Sequence, residues 1–589
     1  TMPNDFDQVP DPTVSRRGFL CLLGSATIGT FAIPSLPSGE QPAADPPIRT
    51  LLSIPTRRVS KQGLVQITWR EQTPEGVRTV TWMPSTPAEL TEANEFYDRA
   101  HQLAPESPLE RVADWVKDLF AGSSRSAEEQ QLLQAIISAP GEIPPLLNYA
   151  DWLTAQGNPQ GEFVRVDCLL ETLLPDDPAS EELNRRWSKL YEKLEGKLLK
   201  PLEKLGTSPG LENGLVRTVE IDNPRILPRK VKQLFDAAPL LREMTLAGSI
   251  DLEEVAKCPQ MSQIESLLLS DCEVTDEGLG AILTSPHFQA LTDLKLSGLP
   301  LSDEVVEQLA QSPIAGRLKR LNLNGCELTT QAIESLARSP GFQQLEDLDL
   351  GGNKLDDAAL SLLAGCTNLR NVRRLDLSEL RVTADGINAL IRAAFFPTLE
   401  VLDLSSSRLT DPAKIAPFRQ VQTAQLRELD LGASVQGDAM LTLLSERPWL
   451  GRLTSLKIDL CAPLTVEGIR RLVESPYLGR LAELDIAYAR PGLEGVQLLA
   501  NCPGLTGLRE LNLADCDLSA DCARILIESD FADSLEELNL NRNPIGDEGA
   551  LILANCGRLQ RLKYLFLTED DFSKNAWDAL QQRFGDVLL

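Results

Sequence analysis

The sequence predicts an α/β solenoid, with parallel strands lining its inside and helices forming its outside. Three observations predict it. An L-x-x-L-x-L phrase recurs on a 27-residue ruler through the C-terminal two-thirds of the 589-residue chain. A Ser or Thr follows most phrases at a fixed offset, and apolar residues at helical spacing come after it. Strand and helix then alternate in one order, which a parallel sheet with helical returns satisfies. A unit this short cannot bury its apolar face alone, so neighbours must stack into one core.

The ruler begins at Ile264 and recurs at Leu291, Leu318, Leu345, Val372, Leu399, Leu426 and Leu453. After a one-residue slip it continues at Leu481, Leu508, Leu535 and Leu562. Looser copies precede it at Val216-x-x-Val219-x-Ile221 and Leu241-x-x-Met244-x-Leu246. Strand alternation points the last two leucines inward and the residues between and beside them outward. Thr275, Ser302, Thr329, Thr383, Thr410, Thr465 and Ser519 fall in one slot and read as helix caps. Ser-Pro pairs beginning at Ser285, Ser312, Ser339 and Ser475 close helices, because proline cannot continue them. Cys272, Cys326, Cys461 and Cys516 share a slot with Asn353 and Asn543, three residues past the phrase. That slot reads as a buried polar turn position, so these are packed thiols and not disulfides. Phe572, Trp577, Leu580 and Phe584 are expected to close the C-terminal end.

Helices are wider than strands, so such a stack bends into a horseshoe whose inner arc spans about 60 Å at roughly 4.8 Å per strand. Asp276-Glu277-Gly278 and Gly546-Asp547-Glu548-Gly549 are its strand-to-helix phrases. With the period, they make residues 211–589 resemble the ribonuclease-inhibitor class of leucine-rich repeat. That resemblance implies a fold and not a function.

Residues 64–83 read as a hairpin around Thr73-Pro74-Glu75-Gly76. A helix start is expected at Thr86-Pro87-Ala88-Glu89 and a second helix over about 108–121, so residues 48–125 form a small α+β module or a spacer. The capping box Ser126-Ala127-Glu128-Glu129 opens a helix through Ile137, and helical spacing from Leu183 to Leu198 gives a long amphipathic helix ending near Pro201. Tyr149-Ala150-Asp151-Trp152-Leu153, Gly157, Glu162-Phe163-Val164-Arg165 and Asn213-Gly214-Leu215-Val216 make residues 127–222 resemble the bacterial repeat-companion domain, a helical module found beside repeats, especially in planctomycetes. Gln160-Gly161 departs from the Ala-Arg-Ala type of sequence usual there. The resemblance transfers no chemistry; it implies an N-terminal, mostly helical domain over 126–210 that caps the solenoid. Tyr149 and Trp152 read as core, and Asp151 with Arg165 as a structural ion pair or a binding pair.

At the N-terminus, Ser15-Arg16-Arg17-Gly18-Phe19-Leu20 resembles a twin-arginine export signal. An apolar stretch from Gly18 to Ile33 and a Pro/Gly/Ser-rich linker through Pro47 follow, without a good A-x-A cleavage site. The stretch is short for a membrane span and suits a signal. The expectation is an exported or membrane-tethered protein; a cytoplasmic protein with a fortuitous apolar N-terminus is the alternative.

The formal charge is −28, from 57 basic and 85 acidic residues. It argues against nucleic acid, whose phosphates need Lys and Arg, and favours a basic or neutral protein or peptide partner. Enzyme signatures are missing: the sequence has no P-loop, HExxH, G-x-S-x-G or strand-bound GxGxxG, and its two histidines, His101 and His287, read as surface residues. No cofactor and no metal are expected. The residues outward of each strand carry the candidate site. At position five they run Thr245, Leu268, Lys295, Asn322, Asp349, Asp376, Asp403, Asp430, Lys457, Asp485, Asn512, Asn539 and Phe566. Position three adds Asp347, Glu428, Glu483, Glu510 and Glu537, interrupted by Arg320 and Arg374. Asp349, Asp376, Asp403, Asp430 and Asp485, with Glu428 and Glu483, are the expected anchors for a partner. Stacked like charges repel unless a cation, a raised pKa or Arg374 relieves them; equally, Leu-Asp-Leu is the commonest form of such a repeat. The resulting expectation is a monomeric, non-catalytic binding scaffold. An enzyme with its chemistry in residues 48–205, or an inhibitor-like regulator of a cytoplasmic enzyme, are the alternatives.

Overall fold

The computed structural model describes residues 125–589, except 140, 174–178, 223–224, 226 and 422–424, together with the backbone of five strands before them. The expected helices near 86 and 108–121, His101, and Arg16-Arg17 of the export-like segment lie outside the described residues. The chain forms two compact units, one of Thr1–Leu198 with Leu211–Leu215 and one of Leu199–Gly210 with Val216–Leu589.

The first unit contains strands β1 (Thr30–Phe31), β2 (Arg49–Leu51), β3 (Thr56–Val59), β4 (Val65–Thr73) and β5 (Gly76–Trp82). β4 and β5 form the antiparallel hairpin expected over 64–83, with Thr73 opposite Gly76. Among the described residues four helices follow, at Ala127–Ser138, Ile143–Ala155, Gln160–Thr172 and Ala179–Leu198. Ser126 caps the first by accepting from the Glu129 amide at 3.1 Å. The second and third pack so closely that a Cβ on Gly161 would lie 2.3 Å from the Ala150 carbonyl oxygen. Phe163, Val166, Leu190 and Leu194 form the centre, with Trp187 and Tyr191 stacked against it. Asp167 ties this centre to the Asn213-Gly214 turn: it accepts from the Trp187 indole at 2.9 Å and from the Gly214 amide at 2.8 Å. Tyr149 is buried and stacks on Trp152. Asp151 and Arg165 pair with each other at the exposed surface.

The second unit is built on a sheet of fifteen strands in strict sequence order. They are β6 (Ser208–Glu212), β7 (Leu215–Ile221), β8 (Glu243–Ser249), β9 (Ser266–Glu273), β10 (Asp293–Lys295), β11 (Arg320–Asn322), β12 (Asp347–Asp349), β13 (Arg374–Asp376), β14 (Val401–Asp403), β15 (Glu428–Asp430), β16 (Ser455–Lys457), β17 (Glu483–Asp485), β18 (Glu510–Asn512), β19 (Glu537–Asn539) and β20 (Tyr564–Phe566). From β7 onward neighbours are parallel, and equivalent residues face each other: Leu321 meets Leu294 and Leu348, and Asn322 meets Lys295 and Asp349. A helix follows each strand from β7 to β20. The phrase leucines are the core; Leu318, Leu321 and Leu323 are each at most 1% exposed, and burying each contributes about 1.5–3 kcal/mol.

The strand-to-helix turns repeat as faithfully as the strands. Two residues past the phrase, the chain takes a left-handed conformation at Gly248, Gly298, Gly325, Gly352, Glu379, Ser406, Ala433, Leu460, Tyr488, Asp515 and Arg542, with φ between 54° and 81°. One residue further lies the slot of Cys, Asn and Ser. Each of these side chains donates to the carbonyl that ends the phrase one repeat earlier: Cys326 to Leu296 at 3.0 Å, Asn353 to Leu323 at 2.7 Å, Ser407 to Leu377 at 3.1 Å, Cys516 to Ile486 at 3.3 Å and Asn543 to Leu513 at 2.8 Å. The ten described cysteines are buried free thiols.

Thr275, Ser302, Thr329, Thr383 and Thr465 cap helices as expected. Two members of that slot do otherwise. Beside Thr410, Asp411 takes the cap, because Pro412 fixes the first helical position one residue later. Ser519 flanks its helix but makes no side-chain hydrogen bond to an amide there. Three of these caps are also tied to the previous repeat: Asp303 accepts from the Thr329 amide at 2.9 Å, Asp357 from that of Thr383 at 2.8 Å and Asp438 from that of Thr465 at 2.8 Å. At the C-terminal end Leu580 and Phe584 are buried and Phe572 stacks on Trp577, while Leu589 donates to the Leu565 carbonyl and accepts from the Leu567 amide and so covers the edge strand β20.

Candidate functional site on the open face of the sheet

Positions three and five of each strand project from the sheet face opposite the buried leucines. The register places Asp349, Asp376, Asp403 and Asp430 directly side by side, with Lys457 and Asp485 next in line. All five aspartates are half-buried.

Each of these carboxylates has a local duty. One oxygen accepts from the amide two residues on: Gly351 for Asp349, Ser378 for Asp376, Ser405 for Asp403, Gly432 for Asp430 and Ala487 for Asp485, at 2.8–3.1 Å. Asn322, Asn512 and Asn539 make the same bond at 3.0–3.1 Å. Position five therefore favours Asp and Asn for a structural reason, an Asx turn that leads the chain out of the strand. The second oxygens differ. That of Asp349 accepts from Asn322 Nδ2 and that of Asp485 from Asn512 Nδ2, both at 2.8 Å. Those of Asp403 and Asp430 have no hydrogen-bond partner among the described residues.

Burial, followed by the neighbouring Asp376, pushes the Asp349 carboxyl up to about 6. Burial, and then Asp403 and Asp459 against the pull of the Gly432 amide, pushes Asp430 up to about 6. Asp376 and Asp485 are also raised, with burial the leading cause. Raised carboxyl pKa values, turn amides and asparagine donors thus offset repulsion along this column. Arg374 serves the other column: it lies 3.8 Å from Asp347 and 3.4 Å from Glu428. Lys457 pairs with Glu483 at 2.9 Å, so Glu428 and Glu483 both have cationic neighbours.

Two residues that the sequence reading passed over belong to this face. Asp293, at position three of β10, is 2% exposed; one oxygen accepts from Arg320 Nε at 2.7 Å and the other has no hydrogen-bond partner among the described residues. A depression of about 260 Å³ opens beside it, lined also by Lys295, Asp347, Asp349, Arg374 and Asp376. Asp459, two residues beyond Lys457, is raised first by burial and then by Asp485. The signal for Asp293 was its place on the ruler; Asp459 lies off positions three and five and carries no such signal.

A family model described as Leucine Rich repeat matches residues 262–283, 343–364 and 533–554. The fold is a leucine-rich-repeat solenoid. Among solved structures, this leucine-rich-repeat chain is similar to an internalin from Listeria monocytogenes, at 17% identity over 56% of this chain and 82% of that one, with a TM-score of 0.35. A chain from the Rad7 and Elc1 complex in yeast matches at 14% identity over 77% and 96%, TM-score 0.37. A Bacteroides fragilis protein matches at 15% identity over 50% and 74%, TM-score 0.25. The search of curated proteins gives no match. Among the described residues, no group of three or more His, Cys, Asp and Glu is placed to hold a metal, and no helix is long and apolar enough to cross a membrane.

Proposed function

We propose that this protein is a non-catalytic interaction scaffold whose acidic sheet face binds a basic protein or peptide as a monomer. The observation that carries the reading is the run Asp376, Asp403 and Asp430. These carboxylates stand side by side on an open face, and two of them keep an oxygen without a hydrogen-bond partner among the described residues. A partner's Lys or Arg would neutralise charge that the fold holds at a cost. The 27-residue period and helices of seven to nine residues in most repeats support the ribonuclease-inhibitor class. We further propose that residues 127–222 are a repeat-companion domain and that Arg16-Arg17 directs export or membrane tethering. Loss of export of a fused reporter on Arg16→Lys with Arg17→Lys checks the last point.

The test is binding of a labelled octa-arginine peptide to the full chain at low and at physiological salt. Asp376→Asn, Asp403→Asn and Asp430→Asn combined should weaken binding about tenfold, since exposed ion pairs contribute about 0.2–1 kcal/mol each. Three neutralisations on the helix side, Glu277→Gln, Glu304→Gln and Glu307→Gln, should leave it nearly unchanged. Equal losses from the two sets would show attraction by net charge alone and remove the face from the site.

A further inference from the structure

The acidic columns end in aromatic rings. In β19 and β20, Glu537 lies opposite Tyr564, and Asn539 opposite Phe566. Leu565, between the two rings in sequence, is fully buried and does the packing for this strand. Tyr564 is 48% exposed, and its ring stacks on that of Phe566 with centroids 6.4 Å apart and planes 28° apart. Large aromatics on a solvent-facing strand position are costly to leave open, and they concentrate where partners bind.

The carboxylates beside them are not ion-paired. Glu510 and Glu537 are register neighbours, and neither has an ion-pair or side-chain hydrogen-bond partner among the described residues. The contrast with Glu536 is sharp: one residue before Glu537, it is held by Lys563 at 2.7 Å and Arg509 at 3.6 Å. The chain therefore supplies cations next to this site and leaves its outward carboxylates without them.

We propose that this end of the face takes an arginine side chain of the basic protein partner, an inference that rests on the acidic-face reading above. A guanidinium is a plane that stacks on an aromatic ring and keeps its N–H fork free for a carboxylate, whereas the lysine ammonium is a compact, strongly hydrated charge. Neighbouring strands lie about 4.8 Å apart, so a cation over Tyr564 is within reach of Glu537. The stack selects arginine; the carboxylates hold its charge.

The experiment compares labelled octa-arginine and octa-lysine peptides on the full chain. The wild type should bind octa-arginine at least fivefold more tightly. Tyr564→Leu with Phe566→Leu should bring the two affinities to within twofold while leaving octa-lysine binding unchanged, with thermal melting confirming an intact fold. Glu537→Gln alone, which keeps the rings, should weaken octa-arginine binding more than octa-lysine binding. Equal affinities in the wild type, or a preference that survives the double substitution, would overturn the arginine site and leave the acidic-face reading standing. Failure of both peptides to bind the wild type would overturn both.

Discussion

Most repeats carry two periodic polar positions, one inside the turn and one on the open face, and they differ in how much they are asked to hold. Inside, Asn353 donates to the carbonyls of Leu323, Leu350 and Gly351 and accepts from the amides of Cys326 and Leu328. Outside, Asp403 accepts from a single amide, that of Ser405. Both recur at the same period, yet only the second has capacity left for a partner. Periodicity in a repeat protein thus marks structural duty first; what remains after that duty is met is the part available for recognition.

The comparison can be broken most forcefully at the interior. Asn353→Leu should cost about 3 kcal/mol or more, because several buried backbone groups lose partners worth about 1–3 kcal/mol each. Urea unfolding measures it, and a loss below about 1 kcal/mol would show that the turn reorganises without its asparagine. A middling effect is expected outside: Asp403→Ala removes one turn bond and should cost about 1 kcal/mol, whereas Asp403→Asn keeps the acceptor and should cost only a few tenths. Equal losses would place the stabilisation in the charge and not in the turn.

A further effect concerns pH. Asp430, raised to about 6 in the folded chain, stands near 3.9 when unfolded. The folded state therefore binds its proton more tightly. The stability this contributes is complete below about pH 4 and is lost as pH rises through about 6. Asp430→Asn, neutral throughout, should melt higher than the wild type at pH 7.5, and the gap should close toward pH 4. A gap that widened on acidification would reverse the assigned sign.

Much of the solenoid was legible because burial enforces it. A leucine displaced from Leu318, Leu321 or Leu323 has nowhere else to be buried, so the ruler locates β7 to β20 and their register. The edge strand β6 was not foreseen. Its signal was the Asn213-Gly214 turn, where both residues take positive φ, at 54° and 67°. The aspartates of the face were legible as a column, but their turn duty was not, since a sequence shows neither the Ser405 amide nor its distance from Asp403. Arg374, one of three possible reliefs for the stacked aspartates, pairs across position three, because its strand register puts it in line with Asp347.

The left-handed residue of the turns separates two stretches of this face. Between Gly248 and Gly352 the left-handed occupants are all glycine, at Gly248, Gly298, Gly325 and Gly352, while β9 runs on through Asp271 without one. From Glu379 to Arg542 the position bears side chains at the same φ, each at a backbone cost of about 1 kcal/mol, and Leu460 and Tyr488 stand there 49% and 43% exposed. Successive repeats can therefore change the texture of this border one residue at a time without disturbing a single leucine beneath it.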